Sequence, residues 1–230
     1  MKYIIGFILF PFLSIAQVNY SAYDAMLKQY VNTSGVVNYT GLKKVEAGFK
    51  KSVEDFKSKT PGATASKEEQ LAYWINVYNA ETIKLVLANF PLKSIQNLDG
   101  GKPWDVKRIK AGSSIYSLND IENMIIRPKF NDPRVHFALN CGAKSCPPLL
   151  NSAYQAVSLN STLDKQARNF INSPLNGTIT AKSMTISKIF EWYAKDFGNI
   201  VTFVNKYSNT KVEAAVKPVF NTYNWSLNGN

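Results

Sequence analysis

The stretch Trp74-Ile75-Asn76-Val77-Tyr78-Asn79-Ala80 constrains this chain more than any other feature. It lies inside a helical pattern that opens at Ser66, with Glu69 three residues later forming a capping-box signature. The pattern runs to about Asn89 and stops before Pro91, because a proline disfavours helical backbone in the residue ahead of it. A helix that is apolar nearly all round has no face for water and belongs at the centre of a fold. Asn76 and Asn79 are its polar exceptions. A buried amide needs hydrogen-bond partners, so these two are expected to brace a neighbouring loop, the alternative being that they face a cleft.

Other elements gather around this helix. Ser21 to Tyr30 reads as a short helix. Leu42, Val45, Phe49, Val53 and Phe56 recur at spacings of three and four, which predicts a second one ending at Thr60-Pro61-Gly62. Trp104 to Lys110 and Ser114 to Leu118 read as a hairpin, followed by a short helix over Asn119 to Arg127. Arg134 to Asn140 is an apolar run that reads as a buried strand. Leu159 to Asn172 is helical, Thr178 to Ala181 and Met184 to Ile186 form a second hairpin, and Ser187 to Phe197 is a helix closed by Gly198. Tyr223, Trp225 and Leu227 alternate on one side of a final strand. Runs of helix and of strand together define an α+β fold: one domain with a central buried helix, further helices and a small, mostly antiparallel sheet. Residues 66–230 form that domain, and 17–65 a helical segment ahead of it.

The N-terminus reads as a signal peptide, residues 1–16. Lys2 supplies the positive charge, Ile4 to Ile15 is almost wholly apolar, and Ser14 and Ala16 are the small residues of a cleavage site before Gln17. The apolar run is too short to cross a bilayer and contains Pro11. The expected location is therefore secreted or periplasmic, with no transmembrane segment in the mature chain. The net charge of +11 raises nucleic acid as a partner. The basic residues are scattered, however, and only Arg108, Arg127, Arg134 and Arg168 are arginines, the type that reads phosphate and guanine best. No nucleic-acid-binding motif accompanies them, so the expected partner is a small molecule, a peptide or an envelope polymer.

The single histidine and both cysteines fall within Arg134 to Leu149. Any imidazole chemistry must use His136, and any thiol nucleophile must be Cys141 or Cys146. Cys141 precedes Gly142, in a turn whose backbone amides can stabilise a thiolate or an oxyanion. In the enzyme reading Cys141 is the nucleophile, with Cys146 as runner-up, and His136 is the base. Glu122, Asp120, Asn140 or Glu191 would orient the imidazole, with Glu122 favoured because its helix feeds into the His136 segment. Three other readings stand beside this one. They are a Cys141–Cys146 disulfide, natural outside the cytoplasm; a metal site, for which the spacing fits no common zinc pattern; and two inert buried thiols. No Walker loop, GxGxxG, HExxH or GxSxG motif appears, and no cofactor or metal is expected.

Several motifs together resemble domain-of-unknown-function family 547. They are Trp74-Ile75-Asn76 with Tyr78-Asn79-Ala80, Leu118-Asn119-Asp120-Ile121-Glu122, His136 through Gly142, and Ser145-Cys146-Pro147. Ser187 to Phe190, Trp192-Tyr193, Asp196-Phe197 and Trp225-Ser226-Leu227 follow in order. The resemblance implies little about activity. Its Cys, His and acidic positions are similar in kind to those of papain-like and transglutaminase-like thiol enzymes, a likeness of residue types only. The function classes left open are a thiol hydrolase or acyltransferase and a non-catalytic envelope binding or scaffold module.

Overall fold

In a computed structural model describing residues 18–230, the expected central helix is α4, Lys67–Ala88. The Ser66 side chain accepts the Glu69 amide at 3.1 Å, as the cap requires. From Gln70 to Leu87 every residue except Lys84 is buried. The signal-peptide segment lies outside the described residues.

Against α4 pack α2 (Tyr39–Lys44) and α3 (Glu46–Lys57), with α1 (Ser21–Tyr30) lying on both of them. The predicted second helix is thus broken at Val45. Tyr23, Leu42, Phe49, Val53 and Phe56 share one core with Leu71, Ile75 and Val86 of α4. Each large apolar side chain buried this way contributes about 1.5–3 kcal/mol. Between α3 and α4, buried Lys57 meets Glu81 at 2.6 Å and Glu54 at 2.9 Å, so its charge is paired inside the interface.

The chain then forms a hairpin of β1 (Ile109–Ala111) and β2 (Ser114–Tyr116), turning at Gly112-Ser113 with Gly112 at φ +61°. Helix follows from α5 (Leu118–Asp120) through a π-helical turn, Ile121–Ile126, into α6 (Arg127–Phe130). The π turn carries Glu122; such distortions often mark functional sites.

The predicted strand at Arg134 to Asn140 is not formed. Pro133–Phe137 is a 3₁₀ helix instead. An apolar run of this length suits a buried strand and a buried helical turn equally. Here the turn wins because Asp132 accepts the Arg134 amide at 3.0 Å and Pro133 occupies the first helical position.

Beyond it come α7 (Leu159–Ile171), β3 (Thr178–Ile179), β4 (Met184–Ile186), α8 (Ile189–Trp192), α9 (Ala194–Phe197), α10 (Ile200–Tyr207) and β5 (Val219–Phe220). β4 pairs antiparallel with β3 and parallel with β5. Phe137 leads a second core here, with ring centroids 5.5 Å from Phe170 and 5.8 Å from Phe190 and Phe197. The tail past β5 is not the expected strand. It is an irregular strap whose amide groups pair with Lys93 and Gly142: Leu227 N–H donates to Lys93 O at 2.9 Å, and Asn228 N–H to Gly142 O at 3.0 Å. Its pattern alternates, yet among the described residues it forms only isolated bridges, Leu227 with Ala143 and Gly229 with Val37, and no continuous ladder. Among the described residues the fold is α+β, with two small sheets beside the helices.

Candidate functional site

Asn79 on α4 begins the site. Its amide nitrogen donates to Ala138 O at 2.9 Å and its oxygen accepts the Asn140 N–H at 2.8 Å. Asn76 does the same for Tyr154, through contacts of 2.9 Å each. Both amides therefore brace loops. Asn140 extends the clamp: it donates to Pro147 O at 2.8 Å, while its oxygen accepts from Gly142 N at 2.9 Å and from Asn228 Nδ2 at 2.9 Å. This buried amide chain sets the path of the cysteine loop, with Gly142 in the left-handed region at φ +86°.

The loop brings the two sulfurs to 2.07 Å, disulfide bonding distance. Cys146 is buried, whereas Cys141 keeps partial exposure. The Tyr223 hydroxyl, from the tail strap, lies 3.2 Å from Cys146 Sγ and 3.4 Å from Cys141 Sγ. The expected oxyanion donor is not available. The Gly142 amide is taken by Asn140, and the Cys141 amide points at Cys146 Sγ from 3.0 Å.

His136 faces the same cavity from the 3₁₀ turn. Its Nε2 meets Asp196 Oδ2 at 2.7 Å, and its ring stacks on Tyr193 with centroids 4.0 Å apart. Arg127 holds the same carboxylate through two contacts of 2.6 and 2.9 Å. The oriented partner of the imidazole is thus Asp196, contributed by α9. Glu122 sits elsewhere on the cavity wall, beside the Tyr193 and Tyr78 hydroxyls. Asp120 caps its own helix through Ser117, and Glu191 pairs with Lys188 at 2.7 Å. Asp196 carried no local signal at sequence level. It stands 60 positions from His136, and only its place in the Asp196-Phe197 motif marked it.

Burial decides the charges. It pulls the His136 imidazole down to about 4, against the raising influence of Asp196. The Arg127 guanidinium holds Asp196 below the usual carboxylate range. A neutral His136 donating to an ionised Asp196 must carry its proton on Nε2, leaving Nδ1 as an acceptor. Desolvation raises Glu122, with the two tyrosines pulling partly the other way.

These shifts have a consequence for stability. Folded His136 stays neutral where an unfolded histidine takes up a proton, so the unfolded chain binds more protons between about pH 6.5 and 4. Stability attributable to His136 therefore falls as pH drops through that window, by on the order of 3 kcal/mol. Glu122, raised, acts in the opposite sense and loses stability as pH rises. Urea unfolding from pH 4 to 7 should show His136→Phe flattening the acid limb. An unaltered slope would assign that limb to other groups.

Cys141, Cys146, His136 and Glu122 line one cavity of about 230 Å³, walled by Trp104, Trp192, Tyr193, Tyr223 and Trp225. This is a helix-rich α+β domain with an aromatic cleft over a cysteine pair and a carboxylate-held histidine. The model of the family described as "Protein of unknown function, DUF547" matches residues 63–171, and that stretch of the chain is similar to the family. The match holds α4, Glu122, His136 and both cysteines, while Asp196, Trp192, Tyr223 and Trp225 come from the chain beyond it. No curated protein and no solved structure matches the chain. Among the described residues no helix is long and apolar enough to cross a membrane.

Proposed function

We propose that the chain is an exported cysteine-dependent hydrolase or acyltransferase, with Cys141 as nucleophile once the Cys141–Cys146 bond is reduced by a dithiol. The observation carrying this reading is the convergence of both cysteines on a cavity with a histidine held 2.7 Å from a carboxylate. Export follows from the signal-peptide pattern at residues 1–16.

In the proposed reaction His136 accepts the Cys141 proton at Nδ1, and the sulfur adds to an ester or amide carbonyl. The imidazolium returns that proton to the departing alkoxide or amine. Water, deprotonated by the same nitrogen, then cleaves the thioester and regenerates the thiol. Asp196 fixes the tautomer throughout. With the Gly142 amide engaged, the Tyr223 hydroxyl beside Cys141 Sγ is the nearest donor for the oxyanion.

The Cys146→Ser variant tests this directly, since it leaves Cys141 unable to form the internal bond. It should release a stoichiometric burst of p-nitrophenol from p-nitrophenyl acetate without reductant, whereas the oxidised wild type should not. Absence of a burst in Cys146→Ser, or its persistence in Cys141→Ser, contradicts the proposal. The bonded sulfurs also support a second reading, a non-catalytic binding module whose loop is stapled by the disulfide. That reading expects no free thiol in the exported protein and no burst in any variant.

A further inference from the structure

Apart from the Tyr223 hydroxyl, the cleft carries an aromatic wall that acyl transfer leaves unused. Trp104, Trp192, Tyr223 and Trp225 pack in succession, with ring centroids 4.6 Å apart for Tyr223–Trp225 and 4.8 Å for Trp192–Tyr223. Trp104 and Trp192 lie 5.5 and 5.8 Å from Trp225. They come from three separate parts of the chain: the loop before β1, the end of α8 and the tail strap. Trp192 leaves 46% of its surface in water, and the other three are only partly buried. A continuous aromatic surface left open at the mouth of a cavity is a feature of binding sites, since indole and phenol rings supply broad contact at little conformational cost.

Two observations define what would cover it. The first is the Trp104 Nε1–H, shielded from solvent and without a partner among the described residues. A buried donor left unpaired is costly, and Trp104 lines the cleft, so an acceptor brought by a ligand would relieve that cost once a small turn of the indole uncovers the N–H. The second is charge. Although the chain is strongly basic, Arg127, stacked over Tyr193 beside the cleft, is already committed, because it holds Asp196 and Asn123. Asn119 and Tyr223 add uncharged polar groups to the lining. Among the described residues no lysine or arginine lines the cavity, so an anionic polymer would find no free cation inside. A purely apolar ligand would leave the indole N–H unmet.

We propose that this wall binds a neutral oligosaccharide, a sugar ring laying its C–H face on the indoles and its hydroxyls against Trp104 Nε1 and Asn119. It deepens the reading above by naming the carrier of the acyl group, and it rests on the cleft being the functional site but not on a free thiol. The cavity of about 230 Å³ accepts little more than one ring, and the exposed part of Trp192, at its wall, is left to meet the next.

The test uses the full, unreduced chain, so a failure of the thiol chemistry does not affect it. Tryptophan fluorescence and calorimetry would be followed during titration with tetra-N-acetylchitotetraose, cellotetraose and maltotetraose, and with an uncharged apolar tetrapeptide for contrast. At least one of the sugars should give a saturable response, and Trp192→Ala should weaken it about tenfold or more, the usual cost of truncating an aromatic anchor. Trp192→Phe, which keeps a ring, should recover part of the loss, and far-ultraviolet dichroism checks that both variants fold. No saturable response to any of the three sugars at millimolar concentration overturns the proposal. So does binding unchanged in Trp192→Ala, or a response only to the tetrapeptide, which would make the cleft a peptide site.

Discussion

Asn79→Ala is expected to destabilise the protein by about 2–5 kcal/mol, more than its modest volume would imply. The substitution removes few atoms, but it strands two buried backbone groups, the Ala138 carbonyl and the Asn140 N–H. Each unsatisfied group costs about 1–3 kcal/mol, because water cannot reach it to take the lost partner's place. The loss then spreads, since Asn140 is itself the hub that holds Pro147, Gly142 and Asn228. Urea denaturation read by fluorescence measures the change. A loss under about 1 kcal/mol would mean that solvent or the loop repairs the site, and that the amide chain does not set the cysteine loop's path.

Asp196→Ala is expected to have the larger effect on chemistry with a smaller one on stability. Asp196 is partly exposed, so removing it leaves Arg127 able to find water. His136 has no such recourse. Without the carboxylate nothing assigns its proton to Nε2 or holds its ring against Tyr193, and the imidazole no longer presents Nδ1 as an acceptor. The burst from Cys146→Ser should then slow by on the order of 10²- to 10⁴-fold when Asp196→Ala is added, as expected when the orienting acid of a triad is lost. Arg127→Gln gives a contrast: it removes the carboxylate's other partner but leaves the His136 contact, so its effect should be milder.

How far this site was legible in the sequence varied with how local each signal was. The central helix, its Ser66 cap and its two bracing asparagines could be read in advance, because capping and amphipathic pattern act within a few residues. The His136 segment was misread, although Asp132-Pro133 ahead of it is a helix-start signal that competes with the apolar run. Asp196 was out of reach for another reason. Three acids nearer in sequence to the histidine or its motifs offered themselves, and only the packing of α9 against the 3₁₀ turn selects the fourth. The tail shows the same limit. Alternation placed Tyr223 and Trp225 on one side correctly, but whether a partner strand exists is a question of tertiary structure. The competition between a disulfide and a nucleophile stayed open at sequence level because both need the same pair of sulfurs close together.

The central claim is that Cys141, once reduced, is activated by the His136–Asp196 pair. Burial keeps His136 neutral in the resting cleft, and a thiolate forming beside it would supply the negative charge that lets the ring take up the proton. The direct measurement is the rate of iodoacetamide alkylation of Cys141 against pH, in Cys146→Ser with and without Asp196→Ala. The account predicts an inflection well below the ~8.5 of an unperturbed thiol, moving upward when Asp196 is removed. An inflection at or above that value, unchanged by Asp196→Ala, would contradict it.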